Sequence, residues 1–260
     1  MTIYDVIVVG MGPGGSTAAR KLASRGFAVL GIDKALFPRY KSCGGCVSAK
    51  VDSLSDLDFS SVVEGTVHTI TFTYKFGRPL EISSNSPVGY NVMRDRFDTL
   101  LLEKARSSGA EVIEGVRVKG VREEDGVVTV STDSGKRYSG RYLVGADGAG
   151  GVIGREYFGL KPKECAISMT AEVPIDGAEK GRFNGGLYVD FGSVPYGYSW
   201  IFPKEECLSI GFAVEAERAK GGVRRFLNEL ATSHEVLRGL NIEESVGWSI
   251  PLYYSSKQSV

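Results

Sequence analysis

Apolar residues occur along the chain in short runs that glycine-rich or polar segments separate. The first run, residues 3–9, is rich in β-branched side chains and predicts a strand. Small residues over 16–24 predict a helix, and residues 27–32 predict a second strand. Apolar side chains three and four positions apart over residues 94–107 predict another helix. This order indicates an α/β fold that opens with a βαβ unit.

Strands dominate the rest of the chain. The turn signals Asp125-Gly126 and Ser134-Gly135 separate strands of a β-meander. After residue 159 the helical periodicity fades, and a largely β region follows. Its predicted strands cover residues 165–173, 186–191, 198–202 and 207–214.

A glycine-rich turn joins the first strand to the first helix. Gly10, Gly12 and Gly15 form the pattern G-x-G-x-x-G, which allows a tight turn, close approach of a diphosphate and close helix–strand packing. The helix N-terminus offers free N–H groups to phosphate. Asp33 follows the second strand, 18 residues beyond Gly15, where a carboxylate can accept hydrogen bonds from ribose hydroxyls. The pattern predicts nucleotide binding, and the alternative is a strand–helix turn without a ligand.

The loop over residues 34–50 contains proline and glycine breakers. Its sequence Cys43-Gly44-Gly45-Cys46 has the C-x-x-C spacing of zinc sites and thiol redox centres. Zinc needs two further ligands, and the other cysteines and histidines show no paired spacing, so we expect no metal site. Two interpretations stay open: a redox disulfide, or a loop whose glycines let it approach a ligand while one cysteine lines the site.

Composition and charge narrow the functional class. The chain has 31 basic and 31 acidic residues, and its net charge of zero argues against a nucleic-acid partner. No apolar stretch reaches the ~18 residues of a membrane-spanning helix, and residues 1–5 lack the features of a secretory signal peptide. Four cysteines in a chain of 260 residues fit a reducing compartment. We therefore expect a cytoplasmic protein. The zero net charge argues against strong attraction to anionic lipid, but not against an apolar contact with a membrane surface.

Four features in fixed order resemble the flavoprotein class of the para-hydroxybenzoate hydroxylase fold. They are the glycine turn with Asp33, the segment Val92–Asp98, the meander, and the segment Gly145–Gly148. The resemblance implies a Rossmann-like FAD-binding domain with a β-meander over residues 1–160, and a β-rich substrate domain over residues 161–260. Residues 50–93 are expected to contribute to the substrate region.

The same resemblance assigns roles to individual residues. It implies that Arg94, at the start of the second helix, reaches FAD, and that Val118 packs its backbone against adenine. It further implies that Asp147 and Gly148 touch the flavin nucleotide and the path of a pyridine nucleotide. The residues expected to bind FAD are Gly10, Gly12, Pro13, Gly14, Gly15, Ser16, Asp33, Lys34, Arg39, Cys43, Gly44, Gly45, Arg94, Val118, Asp147 and Gly148.

Two segments narrow the resemblance to the geranylgeranyl reductases. The segment Arg39–Gly45 is similar to the Cys-Gly-Gly loop of that family, and Tyr198–Lys204 followed by Gly211 is similar to its Tyr-x-Trp-x-Phe-Pro-Lys…Gly-x-Gly pattern. Two departures are small: Ala213 replaces the final glycine, and the spacer after Lys204 is short. One departure is large, because the family's later Gly-Asp-Ala flavin motif has no counterpart before residue 260. We therefore expect the substrate domain to be incomplete and FAD binding to be weak.

The resemblance implies an enzyme that uses reduced FAD to saturate C=C bonds of isoprenoid chains on lipids or pigments. Such a site must bury a long apolar chain and exclude water. Tyr198, Trp200 and Phe202 alternate along a predicted strand, so all three share a face that could line the substrate. The alternative is that these rings fill the core of the β region. Cys43 is the candidate catalytic residue, as a proton donor or only as part of the wall.

Other functions are also compatible with this sequence. A flavin monooxygenase or halogenase would share the fold, and a non-catalytic, truncated nucleotide-binding remnant would share the glycine turn. NADPH or a small electron carrier could reduce the flavin, because the sequence contains no second dinucleotide motif. The expected partners are an isoprenoid lipid or pigment and, through that substrate, a membrane surface. The sequence does not indicate an oligomeric state.

Overall fold

The computed structural model describes residues 2–54, 56–159, 161–176, 181, 183, 185–219, 222–238, 242 and 244–255. The strands are β1 (Ile3–Val9), β2 (Val29–Ile32), β3 (Cys46–Ser48), β4 (Val63–Val67), β5 (Thr69–Tyr74), β6 (Leu80–Ser83), β7 (Gly89–Val92), β8 (Glu111–Ile113), β9 (Val118–Glu124), β10 (Val127–Thr132), β11 (Arg137–Gly145), β12 (Lys161–Pro174), β13 (Leu187–Phe191), β14 (Gly197–Pro203), β15 (Cys207–Glu215) and β16 (Val246–Ser255). The α-helices are α1 (Pro13–Ala23), α2 (Val51–Leu54), α3 (Arg94–Ser107) and α4 (Arg224–Ser233).

The chain divides into two compact units. The first comprises Met1–Tyr40, Asp95–Lys163 and Tyr253–Val260. The second comprises Lys41–Arg94 and Glu164–Leu252. The segment between the Cys-Gly-Gly loop and the start of α3 therefore belongs with the later β-rich part of the chain.

The first unit contains a six-stranded sheet in the order β8-β2-β1-β11-β10-β9. Strand β1 pairs in parallel with β2 and β11, while β9, β10 and β11 form an antiparallel meander. Both faces of β1 are covered, because Val6 and Val8 pack in one apolar cluster while Ile7 and Val9 pack in another. Together with the β-rich second unit, this sheet confirms the expected α/β fold with a meander.

Two local elements differ from their predictions. Helix α1 begins at Pro13 instead of residue 16, directly behind the N-cap residue Gly12. Proline is well suited to the first helical position, because its φ is already helical and its missing N–H would have no partner there. The sequence also predicts a short helix near Val152–Tyr157, and the structure has a single π-helical turn over Ile153–Tyr157 there.

The second unit contains a seven-stranded sheet in the order β16-β12-β15-β14-β13-β5-β6 and a three-stranded sheet in the order β3-β7-β4. The sequence predicted a loop through residues 34–50, but Cys46–Ser48 pairs with β7, with Cys46 opposite Asn91. A strand of only three residues, directly after two glycines, is too short to show the alternation of apolar and polar residues that predicts a strand.

One face of the seven-stranded sheet forms the core of the second unit. Ile201 on β14 and Phe212 on β15 are fully buried in a cluster that also includes Phe226 and Leu227 of α4. Side chains alternate across a strand, so the neighbours of Ile201 on β14, Trp200 and Phe202, lie on the opposite face. That opposite face is called the aromatic face below.

Candidate functional site

The glycine turn of the first unit is fixed by close backbone approaches. A Cβ on Gly15 would lie 1.8 Å from the carbonyl oxygen of Gly10. Gly10 has a φ of +91°, and a Cβ there would lie 2.4 Å from the carbonyl oxygen of Ala146. Both positions therefore exclude any side chain, which is the role that the G-x-G-x-x-G pattern predicted for its glycines.

The start of α1 is open toward solvent. The N-cap residue is Gly12, so no side-chain hydrogen bond caps the helix, and its first turn contains no acidic residue. Gly14 is exposed, and a Cβ built on it would meet no atom within 4 Å. The first N–H groups of a helix have no partner within the helix, so this end carries partial positive charge. These features fit an anionic diphosphate better than a packed side chain.

Asp33 ties the end of β2 to the glycine turn. The Met11 backbone N–H donates to Asp33 Oδ2 at 2.6 Å, and the Ala35 N–H donates to Asp33 Oδ1 at 2.8 Å. The carboxylate is buried, with 7% of its residue surface exposed. Each carboxylate oxygen has a second lone pair, so these two bonds leave acceptor capacity for a ribose hydroxyl. The sequence did not indicate that Asp33 also orders the turn itself.

Arg39 places a guanidinium group beside the turn. Its Nη2 lies 3.0 Å from Oδ2 of Asp98, which is fully buried, and a Cβ on Gly12 would lie 3.5 Å from the same nitrogen. Its Nη1 is buried and has no hydrogen-bond partner among the described residues. A buried, unsatisfied guanidinium nitrogen is costly, so this one fits a missing anionic acceptor.

The other expected residues of the first unit differ in their surroundings. Ser16 is fully buried and its hydroxyl donates to the Met11 carbonyl at 2.7 Å, so it stabilises the turn from within. Val118 is buried at the start of β9, whereas Lys34 and Gly148 are exposed. Asp147 Oδ2 accepts the Ile153 N–H at 3.1 Å and thereby caps the π-helical turn.

In the second unit, Lys204 holds the Cys-Gly-Gly loop. Its Nζ donates to the carbonyl oxygens of Gly44 at 2.7 Å and Gly45 at 3.0 Å. Gly45 has a φ of +69°, and its carbonyl also accepts the Val92 N–H at 2.8 Å. The loop is therefore fixed from two sides, and a left-handed glycine allows the approach.

The ammonium group of Lys204 is almost completely buried, with 1% exposure. Burial lowers its pKa to about 8, although the nearby Glu172 carboxylate acts in the opposite direction. Burial also raises the pKa of the Cys46 thiol. Burial and Glu172 together raise the pKa of the Cys207 thiol to about 12, so both thiols stay protonated at neutral pH.

Cys43 has a partly exposed thiol that forms no disulfide. Its Sγ accepts the Gly45 N–H at 3.4 Å, a contact within the loop itself. The thiol also lies within electrostatic range of the Tyr198 phenol, whose pKa is raised mainly by burial and secondarily by Cys43. Cys43 thus lies near the aromatic face.

The aromatic face carries a continuous row of rings. Ring centroids of Tyr198 and Trp200 are 5.8 Å apart, and those of Trp200 and Phe202 are 6.1 Å apart. Gly44 lies against Trp200 and Phe202, because a Cβ there would meet the two side chains at 2.7–3.0 Å. Gly211, opposite Trp200 on β15, has no room for a Cβ beneath the indole. The rings do not belong to the apolar core cluster.

The expected site residues are thus divided between the two units. Gly10, Gly12, Pro13, Gly14, Gly15, Ser16, Asp33, Lys34, Arg39, Val118, Asp147 and Gly148 lie in the first unit, and Cys43, Gly44, Gly45, Arg94, Tyr198, Trp200 and Phe202 lie in the second. Within each unit the structure brings neighbours together: Arg39 with Gly12, and Gly44 with Trp200 and Phe202. Arg94 opens α3, as the helical pattern predicted.

Three residues that hold Arg39 or the loop around Cys43 in place were not predicted from the sequence. Asp98 forms the ion pair with Arg39. It is the last residue of the segment Val92–Asp98, and only its distance from the start of α3 indicates that its side chain faces inward. Lys204 ends the aromatic pattern, and the sequence alone does not indicate that its ammonium group holds the Cys-Gly-Gly loop. Ser42 Oγ lies 3.0 Å from Thr170 Oγ1 and 3.1 Å from the Val246 carbonyl, contacts that no local pattern reveals.

A family model described as an FAD binding domain matches residues 3–174, which include the glycine turn, Asp33, Arg39 and the Cys-Gly-Gly loop. The chain belongs to this FAD-binding family. FAD is therefore the cofactor that the open helix start and the Arg39 guanidinium fit.

Several curated proteins are similar to the FAD-binding chain. An uncharacterized protein of Methanosarcina barkeri is 35% identical over 87% of the chain and 58% of its own length. The geranylgeranyl diphosphate reductase of Rhodobacter capsulatus is 29% identical over 96% of the chain and 63% of its own length. The tryptophan 2-halogenase of Chondromyces crocatus is 27% identical over 97% of the chain and 53% of its own length. The chain thus spans little more than half of these relatives.

Solved structures of a reductase-like protein and of a halogenase are also similar to the chain. A geranylgeranyl bacteriochlorophyll reductase-like protein from Thermoplasma acidophilum superposes with a TM-score of 0.81 at 27% identity, over 97% of the chain and 67% of that protein. The halogenase PltM, in complex with phloroglucinol and FAD, superposes with a TM-score of 0.74 at 17% identity, over 99% of the chain and 62% of that protein. At that identity the halogenase shows only the fold. The resemblance to geranylgeranyl reductases drawn from the sequence is confirmed.

Among the described residues, no helix is both long and apolar enough to cross a bilayer.

Proposed function

We propose that this FAD-binding chain acts in the reduction of C=C bonds in isoprenoid chains carried by lipids or pigments. The observation that carries the proposal is the aromatic row, which lies on the sheet face opposite the core cluster of Ile201 and Phe212 and against Gly44 of the Cys-Gly-Gly loop. A continuous row of ring faces suits an apolar substrate better than a polar one. The named reductases among the relatives support the same substrate class.

The protein's own residues have separable tasks in this proposal. The uncapped start of α1 and the Arg39 guanidinium hold the FAD diphosphate by charge and N–H donors. Asp33 accepts hydrogen bonds from the ribose while it orders the turn. Trp200 and the neighbouring rings offer apolar ring faces against which the isoprenoid chain is buried. FAD, when bound, supplies the reducing equivalents, and NADPH or a small electron carrier is the proposed donor.

Cys43 and Lys204 have the remaining roles in the proposed function. The two Lys204 hydrogen bonds keep the loop at a fixed position, so the Cys43 thiol is held near Tyr198. A thiol at that position lines the substrate wall, and it is the candidate donor of the proton that saturation of an alkene needs in addition to a hydride.

The test is a reduction assay with purified protein that has been reconstituted with FAD. Dithionite replaces the physiological donor, and a geranylgeranyl lipid is the substrate. Mass spectrometry is expected to show products heavier by 2 Da per reduced bond. Trp200→Ala is expected to lower turnover at least tenfold, whereas Tyr142→Ala, which removes an exposed ring on β11, serves as the control. Bound FAD with no mass gain in any prenyl lipid would refute the proposed function.

A second candidate is supported by one observation: the tryptophan 2-halogenase matches 97% of the chain at 27% identity. A halogenase or monooxygenase consumes oxygen when its reduced flavin meets an aromatic substrate. Oxygen uptake that an aromatic compound stimulates, with hydroxylated or halogenated product, would favour this candidate. Equal rates of flavin reoxidation with and without aromatic compounds would favour the reductase.

A further inference from the structure

The hairpin formed by β5 and β6 exposes large apolar side chains at the edge of the seven-stranded sheet. Tyr74 is 66% exposed, Leu80 61% and Ile82 55%. In the strand register Leu80 lies opposite Phe72 and Ile82 opposite Ile70, so all three exposed residues lie on the aromatic face. Single exposed apolar residues are common, but three on one face of one edge hairpin are not.

Basic side chains accompany these apolar residues. Lys75 and Arg78 are both exposed in the turn between the two strands, and the segment 66–80 contains no acidic residue. Lys75 Nζ lies 5.4 Å from the centroid of the Tyr74 ring. The nearest acidic residue along the chain, Glu81, lies on the opposite face of β6. The five residues Tyr74, Lys75, Arg78, Leu80 and Ile82 are called the hairpin patch below.

The turn that carries the patch is held in a defined conformation. Lys75 and Phe76 both have positive φ values, 53° and 56°, which non-glycine residues rarely adopt. The buried carboxylate of Asp190 accepts the Phe76 N–H at 2.7 Å and the Thr73 hydroxyl at 2.6 Å. Asp190 is fully buried on the core side, so its charge does not face the patch. The basic residues are therefore presented on an ordered turn.

The hairpin patch continues into the aromatic row. The rings of Phe72 and Phe191 lie 6.2 Å apart, as do those of Phe191 and Tyr198. Phe191 and Tyr198 are 45% and 40% exposed, whereas Trp200 is 5% exposed. Apolar surface thus extends without interruption from the exposed hairpin to the buried rings. Its function as a path for a lipid chain rests on the proposed function, but the hairpin surface itself does not.

We propose that the hairpin patch docks on the surface of a bilayer that contains anionic lipid. Tyrosine rings and leucine or isoleucine side chains insert at the level of the headgroups, and neighbouring lysine and arginine side chains contact their phosphates. The zero net charge of the chain attracts neither a bilayer nor a protein, so the choice rests on the local pairing of a basic turn with an apolar face, which matches anionic headgroups above an apolar interior. Strand addition by a second copy along the β6 edge is the competing occupant.

The experiment is vesicle co-sedimentation with the full chain. Phosphatidylcholine vesicles are compared with vesicles that contain 30 mol% phosphatidylglycerol, at ~0.1 M and ~0.5 M salt. We expect binding to the anionic vesicles that high salt weakens. Lys75→Gln with Arg78→Gln is expected to weaken it roughly 10- to 30-fold. Ile82→Asn is expected to weaken binding about tenfold at both salt concentrations.

Ile3→Asn is the matched control, because Ile3 is also a strand residue and is 53% exposed, but it lies on β1. It is expected to bind like the wild type. Vesicles that fail to bind the wild-type chain, or equal losses for Ile3→Asn and Ile82→Asn, would overturn the proposal. A wild-type dimer in light scattering that Ile82→Asn dissociates would overturn it in favour of strand addition. If Ile82→Asn does not fold, the exposed Lys75 and Arg78 substitutions decide.

This outcome is separate from that of the proposed function. Vesicle binding needs neither FAD nor a reducible bond, so a chain that binds anionic vesicles but reduces no prenyl lipid refutes the reductase and leaves the docking surface. A chain that reduces prenyl lipid in detergent but ignores vesicles refutes the docking surface and leaves the reductase.

Discussion

Replacing Lys204 with methionine tests how the Cys-Gly-Gly loop is held. Methionine has similar length and fits an apolar environment, but it cannot donate to the carbonyl oxygens of Gly44 and Gly45. The wild-type ammonium is buried with 1% exposure, so its charge costs free energy in the folded state even while its hydrogen bonds stabilise the loop. The variant removes both effects, and pH separates them.

The magnitude follows from the pKa. A lysine pKa lowered from 10.5 to about 8 corresponds to about 3 kcal/mol of unfolding free energy. Between these two values the unfolded chain binds more protons than the folded chain, so the lysine makes stability rise with pH. Below pH 8 the full penalty is present, and above pH 10.5 it is gone. From pH 7 to pH 9.5 the wild type should gain about 2 kcal/mol relative to Lys204→Met.

The assay is urea unfolding followed by tryptophan fluorescence at pH 7, 8, 9 and 9.5. Lys50→Met, which removes an exposed lysine, is the control and should follow the wild type at every pH. A wild-type curve that runs parallel to that of Lys204→Met across this range would refute the burial of a charged lysine. Alkylation of Cys43, mapped by mass spectrometry, should also be faster in Lys204→Met, because the loop loses two of its anchors.

Further substitutions test the remaining geometry. Gly14→Val should leave the Tm within a few degrees but weaken FAD binding at least tenfold. Gly15→Ala should instead destabilise the chain, because its Cβ would lie 1.8 Å from the Gly10 carbonyl oxygen. Titration with FAD and thermal melts distinguish the two variants. Arg39→Met should weaken FAD binding roughly tenfold or more by removing a charged donor, as calorimetry would measure. Gly211→Ala should displace the Trp200 indole, because its Cβ would lie 2.4 Å from Cζ2, and near-ultraviolet circular dichroism should change.

The part of the site near the N-terminus could be predicted because its determinants are local. Gly10 and Gly15 are required by backbone contacts within one strand–turn–helix unit, so their spacing in sequence reports the structure directly. The same holds for α3, whose apolar spacing gave its bounds at Arg94 and Ser107. The start of α1 is less clear from the sequence, because Pro13 suits both a glycine-rich turn and the first position of a helix, which it occupies in the structure.

The part of the site in the β-rich unit could be predicted only partly. Alternation showed that Tyr198, Trp200 and Phe202 share a face, but not which face is the core, because that depends on where α4 packs. Lys204 could not be recognised, since its two carbonyl partners lie about 160 residues away in the chain. Contacts of that range leave no periodic signal in one sequence.

Titration of the purified chain with FAD tests the central claim, that the diphosphate lies at the uncapped start of α1 beside Arg39, most directly. Isothermal calorimetry should show saturable binding with one FAD per chain, weakened at least tenfold in Gly14→Val, while riboflavin, which lacks the diphosphate and the adenosine, binds far more weakly. Equal affinity of the wild type and Gly14→Val for FAD, or equal affinity of the wild type for FAD and riboflavin, would contradict the account.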